Sequence, residues 1–543
     1  MTAFSPTPED VRAALLGEGM AIPGPFGPRP LIYADYVASG RALGFIEDAI
    51  RAHVLPTYGN THTETSHCGR RTTRLRELAR GGVRAAVGAD AEHAVVFTGS
   101  GATAAADKLV RALGLGRGGA QAAEAVVFVG PYEHHSNDLP WRESGARLVR
   151  VPLDGAGGIC LDALERALRD HAGAGLMIGA FSAASNVTGV LTDLPALARL
   201  LHAHGAHFVC DFAAAGPYVP IRLAESAPGA GDRIDAAFLS PHKFPGGPGA
   251  SGVLVADRGL LACDCPTVPG GGTVSYVTET AHRYVADPER REEAGTPGIV
   301  ENIRAALVLD LKARIGPKTI ARRDAAHAAR LEAALRATEG VEILGPAEAA
   351  RLGIFSFNIR VGTRLLHHNF VVALLNDLFG IQTRGGCSCA GPYGHALLGI
   401  DAARAAAHER AVARGLAAFR PGWARLGVNY FFDDATVDAI AAAVGFVARH
   451  GVDILPHYRL DAASGVWRAA GARPGGPDSL AELWQPAAAP APAPDFVTCL
   501  AQAHALRARP APPCPPHRFD PEAEALRWFW MPDEAAQAPR GAA

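Results

Sequence analysis

One lysine lies where an amine nucleophile could act. The segment Ser240-Pro-His-Lys-Phe-Pro-Gly-Gly-Pro-Gly249 directly follows an apolar stretch that predicts a strand. Its prolines and glycines set unusual backbone angles and let a bulky ligand approach the chain. A neutral lysine amine condenses with an aldehyde to form a Schiff base. By itself, a lysine on a turn would be interpreted as a solvent-exposed charged side chain. With the motifs below, we interpret Lys243 as the residue that binds pyridoxal 5′-phosphate (PLP).

A PLP site also needs donors for the phosphate, a carboxylate for the ring nitrogen and a flat partner for the ring face. The turn Thr98-Gly-Ser-Gly-Ala-Thr103 precedes a predicted helix that begins near Ala104. Its N–H groups and the helix dipole could bind an anion. Asp211 ends a predicted strand and could keep the pyridine nitrogen protonated, although a helix-capping role explains it equally well by itself.

Two more polar segments follow predicted strands. In Glu133-His-His-Ser-Asn137, His134 could stack on the cofactor ring, or it could be a structural histidine. In Ser185-Asn-Val-Thr-Gly189, Asn186 could hydrogen-bond the ring hydroxyl. Ligands of open α/β sheets bind beyond the carboxyl ends of the strands. Five polar segments at successive strand ends therefore indicate one site.

Two cysteines form a second candidate. In Thr383-Arg-Gly-Gly-Cys-Ser-Cys-Ala-Gly-Pro392, Arg384 could grip a substrate carboxylate with a bidentate fork. A thiolate is a strong nucleophile, and a nearby cation favours it. A zinc half-site, a small disulfide or buried thiols are the alternatives, and we favour the nucleophile.

The elements that would position these residues alternate between apolar strands and helices, which predicts an α/β fold with a mainly parallel sheet. The predicted strands are Ala94–Thr98, Ala125–Val129, Leu176–Phe181, His207–Asp211, Ala236–Ser240 and Ser251–Val255. A smaller α+β part follows, with predicted helices Asn302–Ile315, Thr319–Thr338, His367–Phe379 and Ala435–Arg449 and a strand Ile354–Ile359.

The predicted domains are an N-terminal segment (1–30) that packs with the small domain, a large PLP-binding domain (31–300), a small domain (301–458) and a partly disordered tail (459–543). The tail is rich in Pro and Ala at Pro486–Pro494 and Pro510–Pro516. Its cluster Trp528-Phe-Trp-Met531 predicts a short packing anchor.

Composition excludes several classes of function. Of 543 residues, 48% are apolar and 20% are charged, and the net charge is −2. This balance gives no electrostatic reason to expect nucleic acid or an anionic membrane as a partner. Neither a signal peptide nor an uncharged apolar run long enough for a membrane span is apparent. Nine thinly spread cysteines predict no disulfide framework and favour the cytoplasm.

The ordered motifs resemble the class V aminotransferase family of fold-type I PLP enzymes, and most nearly its cysteine desulfurase/selenocysteine lyase branch, over roughly residues 30–450. That resemblance implies a large domain with a seven-stranded, mainly parallel sheet. It implies Lys243 as the Schiff-base lysine, Asp211 as the partner of the ring nitrogen, His134 on the ring face and Asn186 at the ring hydroxyl. The residues that it implies for the phosphate are Ala102, Thr103, Ser240 and His242.

The resemblance also implies how the chains assemble and how sulfur moves. Gly295-Thr296-Pro297 matches a segment that reaches the phosphate of the neighbouring subunit in this family, which implies a homodimer with shared sites. The pattern Arg-x-Gly-x-x-Cys-Ala-x-Pro gives Arg384 as the carboxylate clamp and Cys389 as the persulfide carrier. The Gly-Cys-x-Cys arrangement is also similar to the desulfurase domain of molybdenum cofactor sulfurases.

Two departures from the family pattern bear on function. Ala214 stands where the family commonly has a glutamine, so one contact to the cofactor is lost. Cys387 and Ser388 precede Cys389 where histidines are common, which leaves open which cysteine acts.

The function implied by the resemblance is desulfuration of L-cysteine to L-alanine. Lys243 would take the Cα proton, His134 could shuttle protons, and Cys389 would receive the sulfur before a sulfur-acceptor protein does. One alternative is a class V aminotransferase, epimerase or lyase that acts on another amino acid. The other is an inactive PLP-fold scaffold, to which only Ala214 points.

Overall fold

The protein is described by a computed structural model over residues 4–116, 119, 121–472, 476, 479–486 and 492–537. Its internal contacts divide the chain into two compact units. The first unit comprises Met1–Leu16, Tyr36–Ala325 and Pro346–Leu352, and the second comprises Gly17–Asp35, Ala326–Gly345 and Gly353–Ala543. The domain boundaries predicted from the sequence stay a prediction beside this division.

A seven-stranded sheet forms the centre of the first unit. Its strands are β1 (His93–Gly99), β2 (Ala125–Val129), β3 (Arg147–Arg150), β4 (Leu176–Ser182), β5 (His207–Asp211), β6 (Ala236–Leu239) and β7 (Gly252–Asp257). Their order across the sheet is β1-β7-β6-β5-β4-β2-β3. Strands β6, β5, β4, β2 and β3 run parallel to one another, whereas β7 is antiparallel to both β1 and β6. The predicted mainly parallel α/β fold is confirmed.

The central strands are apolar because helices can cover both faces of a parallel sheet. Every residue of β2 is buried, and so is every residue of β6. Strand β3 was not predicted, and its sequence Arg-Leu-Val-Arg explains why. It lies at an edge of the sheet with both arginines exposed, as charged edge strands do, so it has no apolar run.

Helices surround this sheet in the first unit. They are Pro8–Ala13, Gly44–His53, His67–Ala86, Gly101–Ala112, Leu139–Arg142, Leu161–Asp170, Leu194–Ala203, Pro288–Arg291 and Ile299–Ile315. A short hairpin pairs Val274–Val277 with His282–Tyr284. The helix after β1 begins at Gly101, earlier than the predicted start near Ala104. Helix Pro317–Arg336 continues from the first unit into the second.

The second unit contains a smaller antiparallel sheet. Its strands are β8 (Val341–Ile343), β9 (Ile354–Val361), β10 (Arg384–Gly386) and β11 (Trp423–Gly427), in the order β8-β9-β11-β10, and Arg364–Leu365 pairs with β9. Its helices are His368–Phe379, Gly391–Leu397, Ala402–Ala413, Asp434–Ile454, Phe496–Ala508, Pro521–Leu526 and Pro532–Gln537. The segment Asp434–His457 is long and apolar enough to cross a bilayer, but 67% of its apolar window is buried inside the protein, as in a core helix.

The end of the chain packs on the second unit. The side chain of Phe529 is fully buried, and the indole Nε1 of Trp530 donates to the Val361 carbonyl at 3.0 Å. Glu534 forms ion pairs with Arg364 and Arg527. The predicted packing anchor is therefore confirmed. Most of the predicted Pro/Ala-rich stretch Pro486–Pro494 lies outside the described residues.

Candidate active site

Five polar segments of the first unit converge at one edge of the large sheet. Strand β7 is antiparallel to both of its neighbours, so β1 runs in the same direction as the parallel strands. The carboxyl ends of β1, β2, β4, β5 and β6 therefore lie on the same side. Each of these strands leads into one of the motifs found in the sequence, so the topology alone brings the motifs together.

The turn after β1 contacts the lysine loop. Gly99 and Gly101 have φ angles of +83° and +59°, a conformation that L side chains rarely adopt. Ser240 Oγ accepts a hydrogen bond from the Ala102 N–H at 3.0 Å. A Cβ atom added to Gly101 would lie 2.9 Å from His242 Cε1 and 3.0 Å from Ser240 Oγ. Only glycine therefore permits this close approach.

His134 is held in place by its own loop. Its Nδ1 accepts a hydrogen bond from the Ser136 N–H at 3.1 Å and lies 3.0 Å from Ser136 Oγ. Ser136 Oγ is in turn 2.7 Å from Thr103 Oγ1, in the helix that follows β1. Because Nδ1 accepts, a neutral ring carries its proton on Nε2. The chain of contacts joins His134 to the turn Thr98–Thr103.

Asp211 ends β5 with its side chain buried. The carboxylate accepts a hydrogen bond from the Ala213 N–H at 2.7 Å. Burial raises its pKa, while the Ala213 hydrogen bond and the nearby charge of Lys243 act in the opposite direction. Lys243 ends the short turn Pro241–Lys243 that follows β6. The structure thus brings the predicted carboxylate and the predicted amine within electrostatic range.

Asn186 lies in a turn that one serine organises. Ser185 Oγ accepts hydrogen bonds from the N–H groups of Val187 and Thr188, each at 3.1 Å. The Gly189 N–H closes the turn on the Ser185 carbonyl at 3.0 Å. Asn186 is 6% exposed. Its position after β4 agrees with the predicted strand-end arrangement, and its role at a ring hydroxyl stays a prediction.

Glu133 carries a buried carboxyl group. It belongs to the motif Glu133–Asn137, but it was not predicted as a site residue. Its Oε2 accepts from Ser182 Oγ at 2.6 Å and from Asn137 Nδ2 at 2.7 Å, and its Oε1 accepts from the Ser182 N–H at 3.0 Å. Trp141 Nε1 donates to Asn137 Oδ1 at 3.0 Å. Burial raises the pKa of Glu133 to about 7, and the charge of Asp211 contributes. The acidic residue directly before His134 was the available signal.

These residues fit a cofactor that carries a phosphate. The buried Thr98 hydroxyl has no hydrogen-bond partner among the described residues. Thr98, Gly99 and Ser100 also line a cavity of about 500 Å³, together with Lys108, Glu292 and Glu293. Burial, and then the charge of Lys243, lowers the pKa of His242 to about 4, so its ring is neutral near pH 7 and can donate a hydrogen bond.

Arg384 and Cys389 belong to the second unit. Arg384 lies in β10, directly opposite Arg425 of β11. Arg425 is 2% exposed, and its Nη2 donates to Asp35 Oδ1 at 2.7 Å. Sequence reasoning missed Arg425, although an arginine within the apolar strand Trp423–Gly427 was a signal. The sheet thus places a second cation beside the predicted carboxylate clamp.

The cysteine segment forms a tight turn after β10. The Ala390 N–H donates to the Cys387 carbonyl at 3.1 Å. Ser388 and Cys389 have φ angles of +52° and +55°. Such angles are uncommon for residues other than glycine, and they cluster at functional sites. The backbone at Cys389 is therefore held in a strained conformation by its surroundings.

Comparisons with known proteins identify the family. The family model described as aminotransferase class-V matches residues 32–410. A probable cysteine desulfurase from Aeropyrum pernix is 31% identical over 376 residues, which are 67% of this chain and 86% of the relative. A probable cysteine desulfurase from Halobacterium salinarum is 29% identical over 383 residues, which are 69% of this chain and 86% of the relative.

A solved structure agrees with these matches. The apo structure of a cysteine desulfurase from Thermococcus onnurineus NA1 superposes with a TM-score of 0.66 at 26% identity. The superposition covers 82% of this chain and 99% of that one. The strand-end motifs, the sheet order and these similarities agree with one another. The chain therefore belongs to the class V aminotransferase family.

Proposed function

We propose that this protein is a PLP-dependent cysteine desulfurase that converts L-cysteine to L-alanine and receives the sulfur on Cys389 as a persulfide. The observation that carries the proposal is the strained turn that presents Cys389 after a strand bearing Arg384. An aminotransferase has no need of a thiol at this place. The relatives described above are named as cysteine desulfurases or probable cysteine desulfurases, and this supports the proposal.

In this proposal the first unit holds the cofactor. Lys243 would bind the aldehyde, Asp211 would pair with the ring nitrogen, His134 would contact the ring face and Asn186 would contact the ring hydroxyl. The phosphate would be held by the turn Thr98–Thr103, which includes Ala102 and Thr103, together with Ser240 and His242. When bound, PLP supplies an aldehyde for the substrate amine and a ring that accepts electrons from the substrate Cα.

Three side chains hold or move protons in this proposal. Lys243 Nζ takes the proton from the substrate Cα and later returns a proton to the product. The buried carboxylate of Asp211 would hold a proton on the ring nitrogen, because opposite charges attract more strongly in a buried site than in solvent. His134, fixed through Nδ1, exchanges a proton at Nε2. Loss of Lys243 therefore removes both the attachment and the base.

The sulfur step involves Arg384 and Cys389. Arg384 binds the substrate carboxylate, because a guanidinium can hold it with two parallel hydrogen bonds. Its strand neighbour Arg425 is already paired with Asp35, so Arg384 is the cation that the proposal assigns to the substrate. The Cys389 thiolate attacks the substrate sulfur, so that an S–S bond forms as the C–S bond breaks. The electron pair of the C–S bond stays with carbon, which becomes the methyl group of alanine after protonation. Cys389 is left as a persulfide.

Assembly and location extend the proposal. We infer a homodimer in which Thr296 of one subunit reaches the phosphate of the other, and a sulfur-acceptor protein that empties Cys389. We also place the protein in the cytoplasm, because all nine cysteines are free thiols and a reducing compartment would keep them so.

The test is to incubate PLP-loaded protein with L-cysteine and to measure alanine and protein-bound persulfide. We expect both products from the unaltered protein and from Cys68→Ala, which removes an exposed thiol elsewhere. Neither product should form with Cys389→Ala. Alanine production by Cys389→Ala would refute the thiolate role. A panel of other amino acids that yields keto acids without alanine would instead support an aminotransferase.

A further inference from the structure

Cys387 is a second thiol in the turn that carries Cys389. Burial alternates along the turn: Cys387 and Cys389 are partly exposed, whereas Ser388 is 7% exposed and Ala390 is fully buried. The buried residues therefore anchor the turn, and both cysteines stay partly accessible to solvent. The proposed function uses only one of them.

The two thiols are within reach of each other. Residues two apart in a chain have Cα atoms at most ~7 Å apart, even when the chain is extended. The hydrogen bond from the Ala390 N–H to the Cys387 carbonyl folds the chain back and shortens this span. Transfer of a sulfur atom between two thiols needs their sulfurs roughly 4–5 Å apart, about two S–S bond lengths with the moving atom between them. The turn allows this separation.

The base of the turn has little freedom to move. A Cβ atom on Gly385 would lie 2.2 Å from Asn369 Oδ1, and one on Gly422 would lie 2.7 Å from the Gly386 carbonyl carbon. Backbone and side chains therefore pack tightly against the strand that leads into Cys387. The strand that leads into Cys387 is therefore fixed, so the distance between the two thiols depends on the turn itself.

We propose that Cys387 is a second sulfur carrier, which takes the outer sulfur from the Cys389 persulfide. This inference rests on the proposed function. The Cys387 thiolate attacks the outer sulfur of Cys389–S–SH, and a new S–S bond forms on Cys387. The bond between Cys389 and that sulfur breaks, and Cys389 leaves as a thiolate. No electrons are gained or lost overall, and no further reactant is needed.

This transfer of sulfur from Cys389 to Cys387, here called the relay, frees Cys389 for a second substrate molecule before any acceptor arrives. Without acceptor or reductant, one chain then stores two sulfur atoms, one on each cysteine. Cys387, the thiol that holds the transferred sulfur, also becomes the donor to the acceptor. An exchange of this kind needs only a thiolate and an S–S bond in line with it.

The experiment mixes PLP-loaded protein rapidly with L-cysteine, without any other thiol or acceptor, and measures the alanine formed per subunit in the initial burst, before the free L-cysteine thiol releases sulfur from the persulfide. We compare the unaltered protein, Cys387→Ser and the matched control Cys68→Ser. The expected burst is about twice as large for the unaltered protein and the control as for Cys387→Ser, because covalent carriers limit the burst. Tandem mass spectrometry of the unaltered protein should find an added sulfur on Cys387 as well as on Cys389.

Three results would overturn the relay. Equal bursts from the unaltered protein and Cys387→Ser would mean that Cys387 receives no sulfur. A Cys387–Cys389 disulfide with release of sulfide would mean that Cys387 attacks the inner sulfur instead. If no protein in the set forms alanine, the proposed function fails and the relay fails with it. If all the proteins form alanine and their bursts are equal, only the transfer of sulfur to Cys387 is refuted. The failure of this inference is therefore distinguishable from the failure of the proposed function.

Discussion

Glu133→Gln tests whether the site contains a carboxyl group that titrates near neutrality. Glu133 accepts three hydrogen bonds, two from Ser182 and one from Asn137. A glutamine keeps the shape of the side chain and removes its charge. Its new N–H group would face the Asn137 Nδ2 donor, because Asn137 Oδ1 already accepts from Trp141. That clash costs roughly 1–3 kcal/mol and does not depend on pH.

The charge adds a contribution that depends on pH. The pKa of Glu133 rises from 4.5 to about 7 in the folded protein, mainly because of burial. The folded state thus binds the proton more tightly. The resulting stabilisation is fully present below pH 4.5 and is lost as the pH rises through about 7. At about 1.4 kcal/mol per pKa unit, the whole effect is roughly 3 kcal/mol, of which roughly 2.5 kcal/mol falls between about pH 5 and about pH 8.

The assay combines infrared spectroscopy with denaturation. The difference spectrum between the unaltered protein and Glu133→Gln should show a protonated carboxyl band that disappears with a midpoint near pH 7. In urea, the free energy of unfolding of the unaltered protein minus that of Glu133→Gln should fall by roughly 2.5 kcal/mol from about pH 5 to about pH 8. Glu143→Gln, at an exposed position nearby, is the control. A carboxyl band that titrates near pH 4.5, or a difference in unfolding free energy that stays constant, would refute the reasoning.

Three other changes have definite expected outcomes. Gly101→Ala places a Cβ 2.9 Å from His242 Cε1 at a φ of +59°, so PLP retained after gel filtration should fall markedly, and retention at the normal level would contradict the glycine requirement. Lys312→Met leaves the Gly216 carbonyl, at 2.6 Å from Nζ, without its buried donor, so the first unit should lose roughly 2–4 kcal/mol of stability in urea. Trp530→Phe removes one hydrogen bond from the tail and should cost about 1 kcal/mol, measured by hydrogen exchange of residues 528–531; unchanged exchange would show that the indole bond contributes nothing.

The local sequence pattern was sufficient to predict the strands that lead into the site residues. The predicted strand Ala125–Val129 has the same bounds in the structure, and so does His207–Asp211. Ala125–Val129 is entirely apolar, and His207–Asp211 is apolar between its first and last residues. Burial on two faces of a parallel sheet requires such apolar runs. The strand Arg147–Arg150 was missed because an edge strand buries too little to show in its sequence.

Residues that act through distant partners were not predictable in the same way. Glu133 is unusual only because Ser182, on another strand, and Asn137 surround its carboxyl group. Arg425 becomes a candidate only because the sheet pairs it with Arg384 and because Asp35, far away in the chain, accepts its hydrogen bond. Register and burial are properties of the folded chain, so residue type and spacing cannot report them.

The sequence by itself determined the kinds of chemistry available: an amine at Lys243, a strand-end carboxylate at Asp211 and a pair of thiols around Ser388. It determined these because reactivity depends on residue type and because strands and turns have short-range signals. Only the tertiary structure decided that strand β7 runs antiparallel between β1 and β6, so that the carboxyl ends of β1 and β6 lie on the same side of the sheet. Only folding buried Glu133 and set the positive φ angles of the Cys389 turn, because burial and backbone angles are properties of the folded chain.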